Sequence, residues 1–196
     1  GAKALYDAAD MTRPEQIAAM VDRCHQELGG PDIVIANAGI QHVAKIEDFP
    51  PEKFEAIISI NMKSAWYLFR AAVPHMKEKG WGRNLSTAAA HSLVASPNKS
   101  AYIMAKHGIA GLTKTLALET ATDGITVNCI SPGLMDTPMM AGLPDSVRES
   151  LIETTVYPKR LGHSHEYAAL AKHIAENRYI NGTVIRLDGA LRMAPR

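Results

Sequence analysis

Cysteine is scarce in this chain: Cys24 and Cys129 are the only two. Each lies in an apolar periodic segment and reads as a small buried hydrophobe, which excludes a disulfide-stapled scaffold and fits a reducing compartment. Long apolar runs are missing as well. None reaches the roughly 20 residues of a membrane-spanning helix, and Gly1-Ala2-Lys3-Ala4 is not the start of a signal peptide. Neither sign of charge prevails. The 21 basic and 20 acidic residues give a net charge of +1 without any block of like charge, so there is no electrostatic footprint for nucleic acid or an anionic membrane. Metal-ligand spacing is also wanting. His163-Ser164-His165 has no third ligand at a convincing distance and reads as a helix start, so no metal site is expected. There is no internal repeat and no low-complexity linker, and residues 1–196 are read as a single domain.

What is present is 46% apolar content, enough for a core, and an alternation of strand-like with helix-like segments. Leu5-Tyr6 reads as the tail of a strand that ends at Ala9-Asp10. Thr12-Arg13-Pro14-Glu15 reads as a capping box with proline in the first turn. It opens a helix with Ile17, Met20, Val21, Cys24 and Leu28 on one face, stopped by Gly29-Gly30-Pro31. Asp32 to Ala36 is a continuous apolar run, the mark of a strand covered on both faces, and it ends at Asn37-Ala38-Gly39. A helix from about 52 to 75, a strand over 84–88, a helix to about 120, a strand over 126–130, helices near 145–152 and 165–176, and a last strand over 183–187 complete the series. Strands alternating with crossover-length helices predict an α/β fold with a Rossmann-like, doubly wound parallel sheet. Ligands of such sheets bind outside the carboxyl ends of the strands.

Tyr102 and Lys106 stand four residues apart on the helix that leads to about 120. Positions i and i+4 share a helix face. An ammonium beside a phenol favours phenolate and lowers its pKa from about 10, and such a phenol can exchange a proton with an alcohol near neutral pH. Asn61, in Ile58-Ser59-Ile60-Asn61-Met62, is a poor choice for a helix interior.

The set of Asn37-Ala38-Gly39 after a strand, Asn61 in the next helix, Tyr102-x-x-x-Lys106, and Pro132-Gly133 with Thr137 beyond resembles the short-chain dehydrogenase/reductases over essentially the whole chain. That resemblance implies an oxidoreductase acting on a secondary alcohol. Tyr102 would be its general acid/base, Lys106 would tune the phenol and bind the nicotinamide ribose, and Asn61 would hold a water of the proton relay. It implies NAD as the cofactor, with NADP as the alternative. Asp10 would meet the adenine, Asn37, Ala38 and Gly39 the adenosine ribose, and Pro132, Gly133 and Thr137 the carboxamide. A homotetramer in the cytoplasm or the mitochondrial matrix follows from the same resemblance. Within the family, Gly39 to Ala44 and Ala90 to Tyr102 look like the D-3-hydroxybutyrate dehydrogenases. There Gln41, His91 and Lys99 would bind the carboxylate of a small hydroxy acid. Tyr157 to Gly162, Glu166 to Ala168 and Asn181 to Met193 are similar to the 3-hydroxyacyl-CoA dehydrogenases, which makes an acyl-CoA the alternative substrate.

Two departures from the family pattern stand out. No Gly-x-x-x-Gly-x-Gly turn occurs, so the first βαβ portion, whose backbone N–H groups would cradle a pyrophosphate, is expected to be lacking. A parallel sheet without that strand would leave an apolar edge exposed. The family also places a serine thirteen residues before the tyrosine, and the residue there is Ala89. Ser86 and Thr87 could replace it only if the strand shifted by two or three residues. Ala89 points to a weak enzyme or to a non-catalytic scaffold subunit.

Overall fold

The computed structural model describes residues 2–191, apart from the side chain of Met139. The Arg192-Met193 end of the last resemblance segment and Gly1 lie outside the described residues.

Helix α1 (Pro14–Leu28) starts on a proline, whose missing N–H costs nothing at a helix start. It buries Ile17 and Val21 and ends at Gly29, where φ of 89° lets the glycine N–H bond the His25 carbonyl. Strand β1 (Ile33–Ala36) follows. A single helical path then runs through α2 (Pro51–Ile58), a π-helical turn over Ser59–Lys63 and α3 (Ser64–Lys79), and returns to β2 (Gly82–Thr87). Helix α4 (Ser100–Glu119) leads to β3 (Ile125–Pro132). The short α5 (Pro138–Ala141) and α6 (Asp145–Glu153) precede α7 (Ser164–Glu176) and β4 (Val184–Leu187).

The four strands are parallel and lie in the order β1-β2-β3-β4, with Ser86 opposite Ala36 on one side and Cys129 on the other. Side chains alternate across the sheet. Val34, Ala88, Val127 and Cys129 join Phe69, Met76, Ile109 and Ala117 beneath α3 and α4. Leu85 and Ile130 pack with Ala171 and Ile174 of α7 on the other face. Helices therefore cover both faces, as the α/β reading expects.

Three local expectations fail for identifiable reasons. Residues 2–10 form no strand, and Tyr6 is exposed. A strand persists only as a member of a ladder, and among the described residues none lies beside this segment. The capping box does not form. Thr12 spends its N–H and its hydroxyl on the Asp10 carboxylate, both at 2.8 Å, and Arg13 is the N-cap without a side-chain bond. A capping box exists instead at α7, where the Glu166 carboxylate accepts the His163 N–H at 2.7 Å. Finally, β1 is covered on one face alone. Val34 is buried, whereas Ile33 is 50% and Ile35 46% exposed. On its outer side β1 has no paired strand among the described residues, which leaves the apolar edge anticipated for a sheet without its first strand.

Strand β2 carries an unusual load. Asn84 is 2% exposed on the face shared with Ala88, yet neither atom of its amide has a partner among the described residues. A buried amide without hydrogen bonds costs on the order of 1–3 kcal/mol. Asn84→Val should therefore raise the thermal unfolding midpoint by several degrees, since about 1 kcal/mol corresponds to roughly 2–4 °C for a chain of this size. A calorimetric scan that shows no rise would refute this account of the strand.

Candidate active site

The carboxyl ends of β1, β2 and β3 open toward the first two turns of α4. Lys106 is 4% exposed, and its ammonium donates to the carbonyl oxygen of Thr87, the last residue of β2, at 2.7 Å. The same nitrogen lies 5.5 Å from the centroid of the Tyr102 ring. Lysine and tyrosine are thus brought together as the spacing predicts, but the ammonium stands over the ring and gives its hydrogen bond to the backbone.

That geometry corrects the expected direction of the phenol shift. Burial pushes Tyr102 up to about 12, with no opposing contribution from the lysine. Burial also pulls Lys106 down to about 8. Desolvation penalises the charged form of each group and is the first cause of both shifts. His91 follows the same rule. It is 8% exposed, its ring meets Tyr102 edge-on with centroids 5.9 Å apart, and Nε2 shares a hydrogen bond with Ser96 Oγ at 3.0 Å. Burial, then the charge of Lys99, depresses it to about 4. His91 is therefore a neutral hydrogen-bonding group at physiological pH. The fixed charge beside it comes from Lys99, which precedes α4 and is itself shifted down by burial.

Asn61 lies within the π turn and is 3% exposed. Its Oδ1 accepts the Ile40 N–H and its Nδ2 donates to the Ile40 carbonyl, both at 2.8 Å. One lone pair and one N–H of the side chain fasten the loop after β1 to the helix, which explains an asparagine where helix propensity disfavours one. A π turn adds one residue to the helical path and frequently accompanies a functional site. Gly39 is held against this group. A Cβ there would lie 3.6 Å from Asn61 Oδ1 and 3.9 Å from Lys106 Nζ.

The other predicted residues distribute unevenly. Asn37, Ala38 and Gly39 are exposed beyond β1. Gln41 is exposed on a loop that is tied to the segment before α4 by the Ala44 N–H on the Asn98 carbonyl at 3.0 Å. That bond brings the Gln41 loop beside Lys99. Pro132 is the last residue of β3 and Gly133 follows it, its N–H bonding the Leu187 carbonyl. A Cβ on Gly133 would come within 2.7 Å of Asp188, so packing against β4 already requires the glycine. The Thr137 carbonyl starts α5 by accepting from Met140 and Ala141. Asp10 stands apart, and its carboxylate is held below the usual range by the Thr12 backbone and hydroxyl.

Ala89 is extended and 8% exposed, and its carbonyl accepts the Ser92 N–H. The ladder of β2 shows no shift that would put a hydroxyl there. The Ser86 hydroxyl is buried without a partner, and that of Thr87 turns to Asn37 and Tyr167. The sequence reading missed the roles of four residues. Thr87 holds the lysine through its carbonyl, Tyr167 reaches the sheet from α7, and the Ser92 and Ser131 hydroxyls share a buried hydrogen bond of 2.7 Å. Tyr167 precedes Leu170, Ala171 and Ile174 at helical spacing, the one signal that could have placed it against the sheet.

These residues fit the ribose portions of a dinucleotide. A small, exposed turn at 37–39 lies against a buried amine whose remaining N–H bonds are not claimed by side chains. Among the described residues there is no group of three or more metal-ligating side chains and no helix long and apolar enough to cross a membrane.

The chain is similar to known proteins over nearly its whole length. A sequence profile described as "Enoyl-(Acyl carrier protein) reductase" matches residues 1–191. A D-beta-hydroxybutyrate dehydrogenase of Rhizobium meliloti is 45% identical over 198 residues, covering 94% of this chain and 77% of that protein. A second, from Cupriavidus necator, is 43% identical over 96% of this chain and 78% of its own length. A 3-hydroxyacyl-CoA dehydrogenase type-2 of Bos taurus is 33% identical over 100% of this chain and 79% of its own.

The burial of Lys106 predicts a pH signature. Its folded pKa of about 8 lies below the ordinary 10.5, so between those values the unfolded chain binds a proton that the folded chain has released. Stability from this group therefore rises with pH across that window, and the full cost of burying the charge is present below it. The stability of wild type relative to Lys106→Met should climb by up to about 1.4 kcal/mol per pH unit from pH 8 to 10.5. A difference that stays flat in denaturant titrations across that range would contradict the buried-amine geometry.

Proposed function

The chain belongs to the short-chain dehydrogenase/reductase family, and from that premise we propose that it interconverts a short 3-hydroxy acid, 3-hydroxybutyrate in the first instance, and the corresponding 3-keto acid with NAD. The observation that carries this reading is the edge-on approach of the His91 ring to the Tyr102 ring, with the Lys99 charge acting on that imidazole. A neutral imidazole and a partly buried ammonium beside a proton-transferring phenol suit a small carboxylate whose hydroxyl must reach that phenol. The 45% identity to a D-beta-hydroxybutyrate dehydrogenase supports it.

Bound nicotinamide would supply the hydride acceptor. The chain's own residues do the rest. In the reducing direction the neutral Tyr102 phenol gives its proton to the keto oxygen; in the oxidising direction that proton first leaves for solvent past Lys106, and the phenolate then takes the substrate's hydroxyl proton. Lys106 holds the ribose, and Asn61 keeps the Ile40 loop fastened beside both. Gln41, His91 and Lys99 orient the carboxylate. Asn37, Ala38 and Gly39 receive the adenosine side, Asp10 the adenine, and Pro132, Gly133 and Thr137 the carboxamide. NAD is preferred over NADP by resemblance alone, as is a homotetrameric assembly.

Two rival readings rest on particular observations. The relation to a 3-hydroxyacyl-CoA dehydrogenase type-2 favours a CoA thioester, in which case saturation would occur at far lower concentrations of acyl-CoA than of free acid. Ala89 favours a weak catalyst or a scaffold subunit on this fold.

An assay with 3-hydroxybutyrate and NAD tests the proposal. Turnover should be measurable and should fall at least about 100-fold in Tyr102→Phe. Ala89→Ser should raise kcat on the order of 100-fold, the usual value of one donor aimed at developing charge. Turnover indifferent to the loss of the phenol, or none even with the serine restored, would overturn it.

A further inference from the structure

A line of three polar groups crosses from α7 to the end of β1. The Tyr167 hydroxyl lies 2.5 Å from Thr87 Oγ1, and Thr87 Oγ1 donates to Asn37 Oδ1 at 2.8 Å. The threonine hydroxyl has one hydrogen, which it spends on the asparagine. The phenol must then be the donor in the first bond. The line therefore has one direction, from phenol to hydroxyl to amide oxygen. With Oδ1 committed inward, the exposed end of the Asn37 amide is its Nδ2 pair, two donors at the carboxyl end of the sheet.

An exposed asparagine left to itself would present either its oxygen or its nitrogen outward. The line removes that choice. Its far end is rigid, because Glu166, next to Tyr167, takes both terminal nitrogens of Arg160 at 2.8 and 2.9 Å and closes the capping box of α7. Burial also keeps the Tyr167 phenol protonated by raising its pKa. At the centre, Thr87 serves two ends of the site at once. Its hydroxyl orients Asn37, and its carbonyl holds the Lys106 ammonium.

We infer that Tyr167 is a positioning residue for dinucleotide binding, acting through the Thr87 hydroxyl to hold the Asn37 amide with its N–H groups outward. The inference rests on the reading of this site as a dinucleotide site. The test is calorimetric titration with NADH of the wild type and of Tyr167→Phe, Thr87→Val, Thr87→Ser and the Phe/Val double variant. Thermal midpoints are measured alongside.

Tyr167→Phe and Thr87→Val should each weaken NADH binding about three- to tenfold, the scale of one hydrogen bond. Thr87→Ser, which keeps the hydroxyl, should bind like wild type. The double variant should bind no worse than Thr87→Val, because the phenol has no route to Asn37 once the hydroxyl is gone. Unchanged affinity in Tyr167→Phe with a lowered melting midpoint would reduce the phenol to a packing role and overturn the inference. So would independent, multiplying losses in the double variant. A wild type that does not bind NADH would overturn this inference and the proposed function together, whereas wild-type binding with indifferent variants would overturn the inference alone.

Discussion

An ammonium nitrogen almost cut off from water and held by a single main-chain oxygen, Lys106 Nζ on Thr87 O, is the constraint on which this site depends. A buried charge needs a partner, and a carbonyl is a weak one compared with a carboxylate. No side-chain carboxylate pairs with it among the described residues. The fold compensates by placing the amine where three strands end and where the Gly39 turn and Asn61 come within reach of it. Moving the end of β2 would move the amine, and with it the ring of Tyr102 one helical turn earlier. The ladder of β2 with β1 and β3 therefore sets the geometry of the candidate site, beyond its role in the core.

The residues that were legible in the sequence are those whose role is local. Tyr102 and Lys106 share a face because a helix has a fixed period, and the helix exists as predicted. The parallel sheet was legible because its strands alternate with helices long enough to cross over. Asn61 was visible as an anomaly, an asparagine inside a helix, although the two bonds to Ile40 and the π turn beneath it were not. What escaped was set by partners distant in sequence. Thr87 and Tyr167 are 80 positions apart and acquire meaning only when α7 lands on the sheet. Thr12 matched a capping pattern, but Asp10 competed for its donors and won by proximity. The strand read at Leu5-Tyr6 had the right residues and no ladder to join.

The direction of the tyrosine shift was misjudged for the same kind of reason. Helical spacing says that two groups are neighbours, and says nothing of how much water remains around them. Coulomb attraction between Tyr102 and Lys106 would favour phenolate, and burial opposes it. At 5.5 Å from the ring centroid, with its hydrogen bond spent on a carbonyl, the ammonium loses that contest.

This phenol and the three ionisable groups of the candidate site share one displacement. Tyr102 is shifted up, and Lys106, His91 and Lys99 are shifted down. Every one of them is displaced toward its neutral form, and burial is the first cause in each case. A site in that state has paid desolvation without the anions that would offset it. Negative charge entering it would stabilise both ammonium groups and offset part of the desolvation they have met. The imidazole would answer as a neutral donor, with nothing to gain from protonation until well into acid. A carboxylate beside Lys99 and an oxygen developing charge near Tyr102 are two such anions at the two ends of one small molecule. Ala89, thirteen positions before Tyr102, is buried and carries a methyl in place of a hydroxyl, so it adds no donor for the second of them.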